Sequence, residues 1–225
     1  MSGIDDDTRD GGGSYASPPC LMHEVDPAYM GFDAQQQQDV ARWRRSQRAR
    51  LIDTRLALPN AERVSYAEVI MSRLDEIIGG VQGRVVSAYW PMRGEPDLRV
   101  WLEELGARGC TAALPVVVQK RAPLIFRAWR KGAPLDKGEW DIPVPFHGAD
   151  VVIPDVIVAP IVGFDRNCYR LGYGGGYFNR TLGLAKNRPL VIGVGYSAME
   201  LPTIYPQTYD VPMDIIVTEQ DVVRR

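Results

Sequence analysis

Apolar residues along the chain alternate between two spacings, which predict strands and helices in turn. Runs of β-branched and other apolar residues predict buried strands, and apolar residues three and four apart predict amphipathic helices between them. The strands are predicted at 84–92, 111–118, 123–130, 156–162, 190–196 and 214–219, and the helices from about residue 39, over 59–78, over 97–108 and up to about 185.

Strands separated by helices in this way are typical of an α/β domain. We expect a three-layer fold with a largely parallel central sheet, helices on both faces and some antiparallel hairpin. Residues 1–38 are rich in Asp, Gly, Ser and Pro and end in four glutamines. Because this composition buries little apolar surface, it predicts a flexible N-terminal tail ahead of one domain at 39–225.

Composition narrows the class of protein further. The net charge of −2 argues against nucleic acid or an anionic membrane as the main partner. Cys20, Cys110 and Cys168 have no metal-ligand spacing, which favours a reducing compartment without disulfides. The sequence shows neither a membrane-spanning run nor a signal pattern, so we expect a soluble, cytoplasmic protein.

The segment RLGYGGGYFNR, from Arg170 to Arg180, is the strongest candidate for chemistry. It follows the predicted strand at 156–162 and precedes a helix, where loop N–H groups and the helix dipole favour an anion. Arg170 adds a fork of donors suited to phosphate oxygens. The loop contains glycines that permit positive φ and a close backbone approach to a ligand, namely Gly172, Gly174, Gly175 and Gly176.

These glycines leave two interpretations open. They form either the phosphate site of a nucleotide or only a tight turn. The segment is not a Walker A loop, because no Gly-Lys-Ser/Thr follows, and the third glycine falls at the wrong place for a dinucleotide fingerprint.

The helix predicted from residue 39 carries five arginines between Arg42 and Arg50. A solvated basic face is the ordinary interpretation of such a run. However, Arg44, Arg48 and Arg55 lie along one side of a helix, so they could also face a common ligand.

The longer string GFDRNCYRLGYGGGYFNRTL, from Gly163 to Leu182, closely resembles the signature segment of the 5-formyltetrahydrofolate cyclo-ligases, also called methenyltetrahydrofolate synthetases. The resemblance extends over roughly 44–219. It implies cyclisation of 5-formyltetrahydrofolate to 5,10-methenyltetrahydrofolate with ATP and Mg²⁺, releasing ADP and phosphate, in one-carbon metabolism. It also implies a monomer.

The resemblance assigns roles residue by residue. It implies that Glu95, just after a predicted strand, faces the pterin, and that Arg170 acts on the transferring phosphoryl group. The residues expected at ATP are Arg44, Arg48, Arg170, Gly172, Tyr173, Gly174, Gly175, Gly176, Tyr177 and Phe178, and those expected at folate are Trp90, Glu95, Trp140, Tyr177 and Phe178.

A metal site is implied at three positions. Asn179 stands where the family has an aspartate that helps bind Mg²⁺, and Asp210 and Asp214 lie in a segment similar to the family's acidic ending. An amide oxygen can ligate Mg²⁺ but brings no charge, so we expect weaker affinity for metal–nucleotide.

Two other functions stay open on the sequence. The chain could be a diverged paralogue that binds folate or nucleotide without cyclising, which Asn179 and the arginine at the lysine position, Arg44, favour. It could also be an ATP-dependent enzyme acting on another heterocycle, such as a thiamin-related compound.

Overall fold

The computed structural model describes residues 34–225, and the tail predicted at 1–38 lies largely outside them. The chain divides into two compact units, Met1–Ser46 and Gln47–Arg225. Helix α1, Ala34–Ala57, begins five residues before the predicted start, so the glutamine run belongs to a helix. Glutamine is a good helix former, and propensity here outweighs low apolar content.

The second unit contains three further helices and twelve strands. The helices are α2 (Asn60–Ile78), α3 (Arg99–Ala107) and α4 (Tyr177–Gly183). The strands are β1 (Val85–Ser87), β2 (Thr111–Val116), β3 (Ile125–Ala128), β4 (Leu135–Lys137), β5 (Pro143–Pro145), β6 (Val151–Val152), β7 (Val156–Pro160), β8 (Gly163–Phe164), β9 (Arg170–Leu171), β10 (Leu190–Val194), β11 (Ile215–Val217) and β12 (Val222–Arg224).

Eight of the strands form one sheet in the order β12-β11-β10-β7-β1-β2-β3-β6. The five strands from β11 to β2 are mutually parallel, whereas β12, β3 and β6 are antiparallel additions at the two edges. The predicted fold class, a largely parallel three-layer α/β fold, is confirmed. The strand predicted at 84–92 was too long, because the ladder of β1 ends at Ser87.

Helices α2 and α3 cover one face of this sheet. Their buried side chains include Ile70, Leu74 and Trp101, which join one core cluster with strand residues such as Val158 and Ile192. Alternate residues of the same strands, such as Ile157, are buried on the opposite face. Burial of both faces explains why these strands read as unbroken apolar runs.

Short strands outside the main sheet were missing from the sequence-based prediction. The stretch 136–145, expected to be a loop, forms the hairpin β4–β5 with Trp140 in its tight turn. Strands β8 and β9 form a second hairpin directly ahead of the glycine segment. Strands of two or three residues carry too little periodicity to be distinguished from loops.

Candidate active site

The sheet changes winding direction between β1 and β7, its two central neighbours. From β1 the chain proceeds through α3 to β2 on one side, and from β7 it proceeds to β10 on the other. Open α/β sheets bind ligands outside the carboxyl ends of the strands at such a switch point. The glycine segment follows β7 and Glu95 follows β1, so both lie at this edge.

The entry to the glycine segment is fixed by Asp165, a buried carboxylate in the β8–β9 turn. Its Oδ1 accepts from the N–H groups of Asn167 and Tyr169 at 3.1 and 3.2 Å, and its Oδ2 accepts from that of Ile204 at 3.0 Å. Asp165 therefore holds the hairpin from which Arg170 projects, and its role is structural.

The glycine segment needs its glycines for backbone reasons. Gly174 and Gly176 have φ values of 100° and 68°, in the region that other residues rarely adopt. Helix α4 follows at once but spans only seven residues, Tyr177–Gly183. Because a helix this short has a small dipole, the side chains of Arg170 and Arg180 are the main positive charges beside the segment.

Arg170 and Arg180 flank the glycine segment with unused donors. Arg170 donates from Nη1 to the carbonyl of Pro160 at 3.2 Å, and Arg180 donates from Nη2 to the carbonyl of Gly175. Among the residues that the structure describes, the Nε atoms of these two arginines are the buried side-chain nitrogens and oxygens without a hydrogen-bond partner. A buried unmatched donor is costly and marks a place where a ligand acceptor fits.

Burial lowers the pKa of Arg170 to about 10, although the nearby Asp210 carboxylate opposes this shift. The guanidinium thus stays protonated at neutral pH. It also lies over the ring of Phe178, with Cζ 4.6 Å from the ring centroid, which holds the side chain in place. Arg48 approaches the same segment from α1 and donates from Nε to the Gly172 carbonyl at 2.6 Å.

Glu95 lies in a tight turn that several groups fix. Arg93 and Gly94 both have positive φ, and the N–H of Glu95 donates to the carbonyl of Met92 at 3.1 Å. In return, the N–H of Met92 donates to Oε2 of Glu95 at 2.9 Å. The carboxylate is therefore oriented by its own turn.

Two further side chains enclose this carboxylate. Tyr173 donates its hydroxyl to Oε1 of Glu95 at 2.7 Å, and Arg55 Nη1 lies 3.8 Å from the same oxygen. Arg55 Nη2 also donates to the Tyr173 hydroxyl at 2.5 Å. The side chains of Arg55 and Glu95 are each only 1% exposed, and burial raises the pKa of Glu95 although Arg55 and Tyr173 oppose this shift.

Aromatic residues lie beside the glycine segment on its outer side. Trp140 is 60% exposed, and its ring packs edge-on against Tyr177 with centroids 5.9 Å apart. Trp140 also has a positive φ of 56°, so the β4–β5 turn presents the indole at some backbone cost. Trp90 instead contacts Trp129 edge-on and lies under the guanidinium of Arg99.

The three residues expected at a metal are not brought together. Asn179 Nδ2 donates to Oδ1 of Asp210 at 2.8 Å, so these two are neighbours at the carboxyl edge. Asp214 precedes β11 at the opposite, amino edge of the sheet, where Arg188 and the N–H of Val191 both donate to its carboxylate at 2.8 Å. Within residues 34–225 no group of three His, Cys, Asp or Glu residues could hold a metal ion.

Two residues of this site carried no assigned role in the sequence-based prediction. Arg180 is the last residue of the quoted segment, and Arg55 was identified only as part of an arginine series. Neither role has a local sequence signal, because each depends on contacts with distant residues. Arg44, one of the predicted ATP ligands, lies in the first unit on α1 and is buried.

A cavity of about 560 Å³ lies elsewhere, where α3 ends and β2 begins. Its lining includes Cys110, Trp129, Lys131 and Asp150. None of the predicted site residues lines it, so it is separate from the arrangement described above.

The family model for the 5-formyltetrahydrofolate cyclo-ligase family matches residues 40–219. The chain therefore belongs to this family, as the signature segment suggested. The 5-formyltetrahydrofolate cyclo-ligase of Mycolicibacterium smegmatis is 32% identical over 178 residues, which cover 76% of this chain and 91% of that protein. The enzyme of the same name from Haemophilus influenzae is 27% identical over 60% of this chain and 76% of its own length.

Solved structures agree with this family. The NMR structure of 5,10-methenyltetrahydrofolate synthetase from Aquifex aeolicus matches with a TM-score of 0.68 and 29% identity, covering 80% of this chain and 92% of that one. A synthetase from Mycoplasma pneumoniae matches with a TM-score of 0.64 at 21% identity, over 78% of this chain and 98% of that one. The second likeness shows the fold alone.

Over residues 34–225, no helix combines the length and apolar character that crossing a bilayer requires.

Proposed function

We propose that this chain is an ATP- and Mg²⁺-dependent enzyme that cyclises 5-formyltetrahydrofolate to 5,10-methenyltetrahydrofolate. Membership of the family supports the reaction. The observation that carries the assignment of the site is the pair of buried, unmatched Nε donors on Arg170 and Arg180 at the glycine segment. These donors fit the phosphate oxygens of a nucleotide at the switch point of the sheet.

The chemistry requires activation of a poor leaving group. The formyl oxygen attacks the γ-phosphorus of ATP, and ADP leaves. The second folate nitrogen then attacks the activated carbon and loses its proton, and inorganic phosphate departs with the former formyl oxygen. A protein that performs this reaction must align two substrates and stabilise charge on the moving phosphoryl group.

In this proposal the arginines act on the phosphates. Arg170 and Arg180 lie beside Gly172 and Gly176, and each keeps a buried, unmatched Nε donor. Arg48 donates to the Gly172 carbonyl of the same segment. A guanidinium in a water-poor site stabilises developing negative charge more strongly than it would in water. Arg170 is the residue that we place at the transferring phosphoryl group.

We assign folate recognition to Glu95 and the aromatic side chains. An ionised carboxylate is a hydrogen-bond acceptor, so Glu95 suits the ring N–H groups of a folate. Trp140 is exposed beside Tyr177 and offers a flat apolar surface. We include Trp90 by resemblance alone, since its contacts are with Trp129 and Arg99.

Asn179 and Asp210 fit a Mg²⁺ ion that arrives with the nucleotide. Mg²⁺ commonly takes one or two carboxylates together with phosphate oxygens and water, and this pair supplies one carboxylate and one amide oxygen. The ion would neutralise charge on the β- and γ-phosphates. We do not carry Asp214 forward, because its carboxylate is engaged at the amino edge.

The test is near-ultraviolet absorbance of the purified chain with 5-formyltetrahydrofolate and MgATP. The conjugated methenyl bridge should give a growing band that disappears when either ATP or Mg²⁺ is omitted. A band that grows equally without ATP, or no band under any condition, would contradict the proposal.

One observation favours a second candidate, a paralogue that binds without cyclising. The Asn179 amide bonds Asp210 directly, so the metal position is satisfied without a cation. Nucleotide binding by calorimetry together with no product would identify this alternative, and product recovered in Asn179→Asp would reject it.

A further inference from the structure

Tyr173 belongs to the glycine segment, but its hydroxyl bonds a different pair of side chains, Arg55 and Glu95, from the arginines that carry the phosphate assignment. Its hydroxyl lies between Arg55 and Glu95, accepting from the first at 2.5 Å and donating to the second at 2.7 Å. The ring also lies beside Arg55, with Cζ 5.7 Å from its centroid. The predicted role of Tyr173 at ATP does not describe these contacts.

This hydroxyl is part of what closes the Glu95 carboxylate to solvent. The Glu95 side chain is 1% exposed, so a folate ring reaches it only after a covering group moves. Arg55 is anchored by two backbone carbonyls as well, those of Arg93 at 2.8 Å and Ile161 at 3.3 Å. Tyr173 sits instead in a glycine-rich segment, where backbone rearrangement meets little steric resistance.

The same segment is the one to which we assign the nucleotide phosphates. Binding that reorganises Gly172–Gly176 must therefore act on the Tyr173 hydroxyl. We propose that Tyr173 links the two substrate sites. Without nucleotide, its hydroxyl donates a hydrogen bond to the Glu95 carboxylate. Nucleotide binding withdraws the hydroxyl, so that folate can bond the carboxylate. This inference rests on the proposed function and adds an order of binding, in which nucleotide prepares the folate site.

The affinities for nucleotide and for folate should depend on each other. If nucleotide frees Glu95, nucleotide tightens folate binding, and folate tightens nucleotide binding by the same factor. The expected factor is about tenfold, the value of one hydrogen bond to a charged group. Tyr173→Phe removes the hydrogen bonds that hold this side chain at Arg55 and Glu95, so it should give the tight folate state without nucleotide.

The experiment is isothermal titration of 5-formyltetrahydrofolate into the full chain, with and without a saturating non-hydrolysable MgATP analogue. The natural chain should bind about tenfold more tightly with the analogue. Tyr173→Phe should bind equally in both conditions, close to the tighter value. The matched control is Tyr196→Phe, which also removes a buried hydroxyl near this turn, one that donates to the Gly94 carbonyl at 3.2 Å, and which should keep the tenfold dependence.

Three results would overturn the inference. One is a natural chain whose folate affinity ignores the analogue, and another is a Tyr173→Phe variant that keeps the natural dependence. The third is a Tyr173→Phe variant that binds folate more weakly in both conditions, which would make the hydroxyl part of the folate site. The absorbance assay on the natural chain separates these results from failure of the proposed function, because that failure would remove product whatever the titrations show.

Discussion

The polar side chains at the two ends of the parallel strands differ in how fully their hydrogen bonds are satisfied. At the amino edge, Asp214 accepts from Arg188 and from the Val191 N–H, and Asp155 accepts from the Val85 N–H at 2.8 Å. At the carboxyl edge, Arg170 and Arg180 each keep a buried donor unmatched. Asp214 and Asp155 complete the fold, whereas Arg170 and Arg180 retain capacity for a ligand. The contrast is the reason why we propose the carboxyl edge as the site.

The largest expected effect is on stability, and it compares one ion pair at each edge of the sheet. Arg55→Met at the carboxyl edge leaves the Glu95 charge buried and unpaired, so the free energy of unfolding should fall by about 3–5 kcal/mol. Arg188→Met breaks a pair whose side chains are 51% and 32% exposed, and should cost about 1 kcal/mol or less. Chemical denaturation measures both.

A double variant is the control for the buried Arg55–Glu95 pair. Replacing Glu95 by Leu in the Arg55→Met background removes the stranded charge, so much of the lost stability should return. Equal losses for Arg55→Met and Arg188→Met would show that the two edges do not differ in this respect.

The next effect concerns the metal position. Asn179→Asp places a second carboxylate beside Asp210, where the amide now donates at 2.8 Å, so the Mg²⁺ concentration for half-maximal turnover should fall by about tenfold. Without Mg²⁺ the same variant should unfold more easily, because like charges then face each other. An unchanged Mg²⁺ dependence would remove these two residues from the metal proposal.

The raised pKa of Glu95 leads us to expect a smaller effect, a dependence of stability on pH. Burial raises its pKa above the ordinary 4.5, so the folded chain keeps a proton that the unfolded chain has released. Stability should therefore fall as pH rises from 4.5 through the raised value, and Glu95→Gln should flatten this decline. Since folate N–H groups need the ionised form, the acid limb of kcat/KM for folate should also lie above pH 4.5. A limb at or below 4.5 would contradict the assignment.

The smallest stability effect is expected at Trp140. Its indole is 60% exposed, so Trp140→Ala should change the free energy of unfolding by about 0.5 kcal/mol or less. KM for folate should nevertheless rise several-fold if the ring is a stacking surface. An unchanged KM would restrict Trp140 to its packing against Tyr177.

Much of the fold follows from the sequence, because strands buried on both faces leave unbroken apolar runs. The location of the glycine segment after β7 was also predictable, since the run 156–162 precedes it directly. The lengths of the strands were harder to predict. β1 ends at Ser87 because pairing decides the ladder, while apolar residues continue to Met92.

The site was only partly predictable. Asp210 and Asp214 are four residues apart, yet the chain between them crosses from one edge of the sheet to the other, and spacing cannot show this. The direction of Tyr173 depends on Arg55 and Glu95, which are distant in sequence. The signature segment identifies its backbone role but not the contacts of this side chain.

The most direct measurement compares turnover of Arg170→Ala and Asp214→Asn in the absorbance assay. We expect Arg170→Ala to lose about 10²–10³ in kcat while its unfolding transition stays close to that of the natural chain. Asp214→Asn should lose about 1 kcal/mol of stability and keep its turnover and Mg²⁺ requirement. Normal turnover in Arg170→Ala, or a loss of Mg²⁺ dependence in Asp214→Asn, would contradict the account of the two edges.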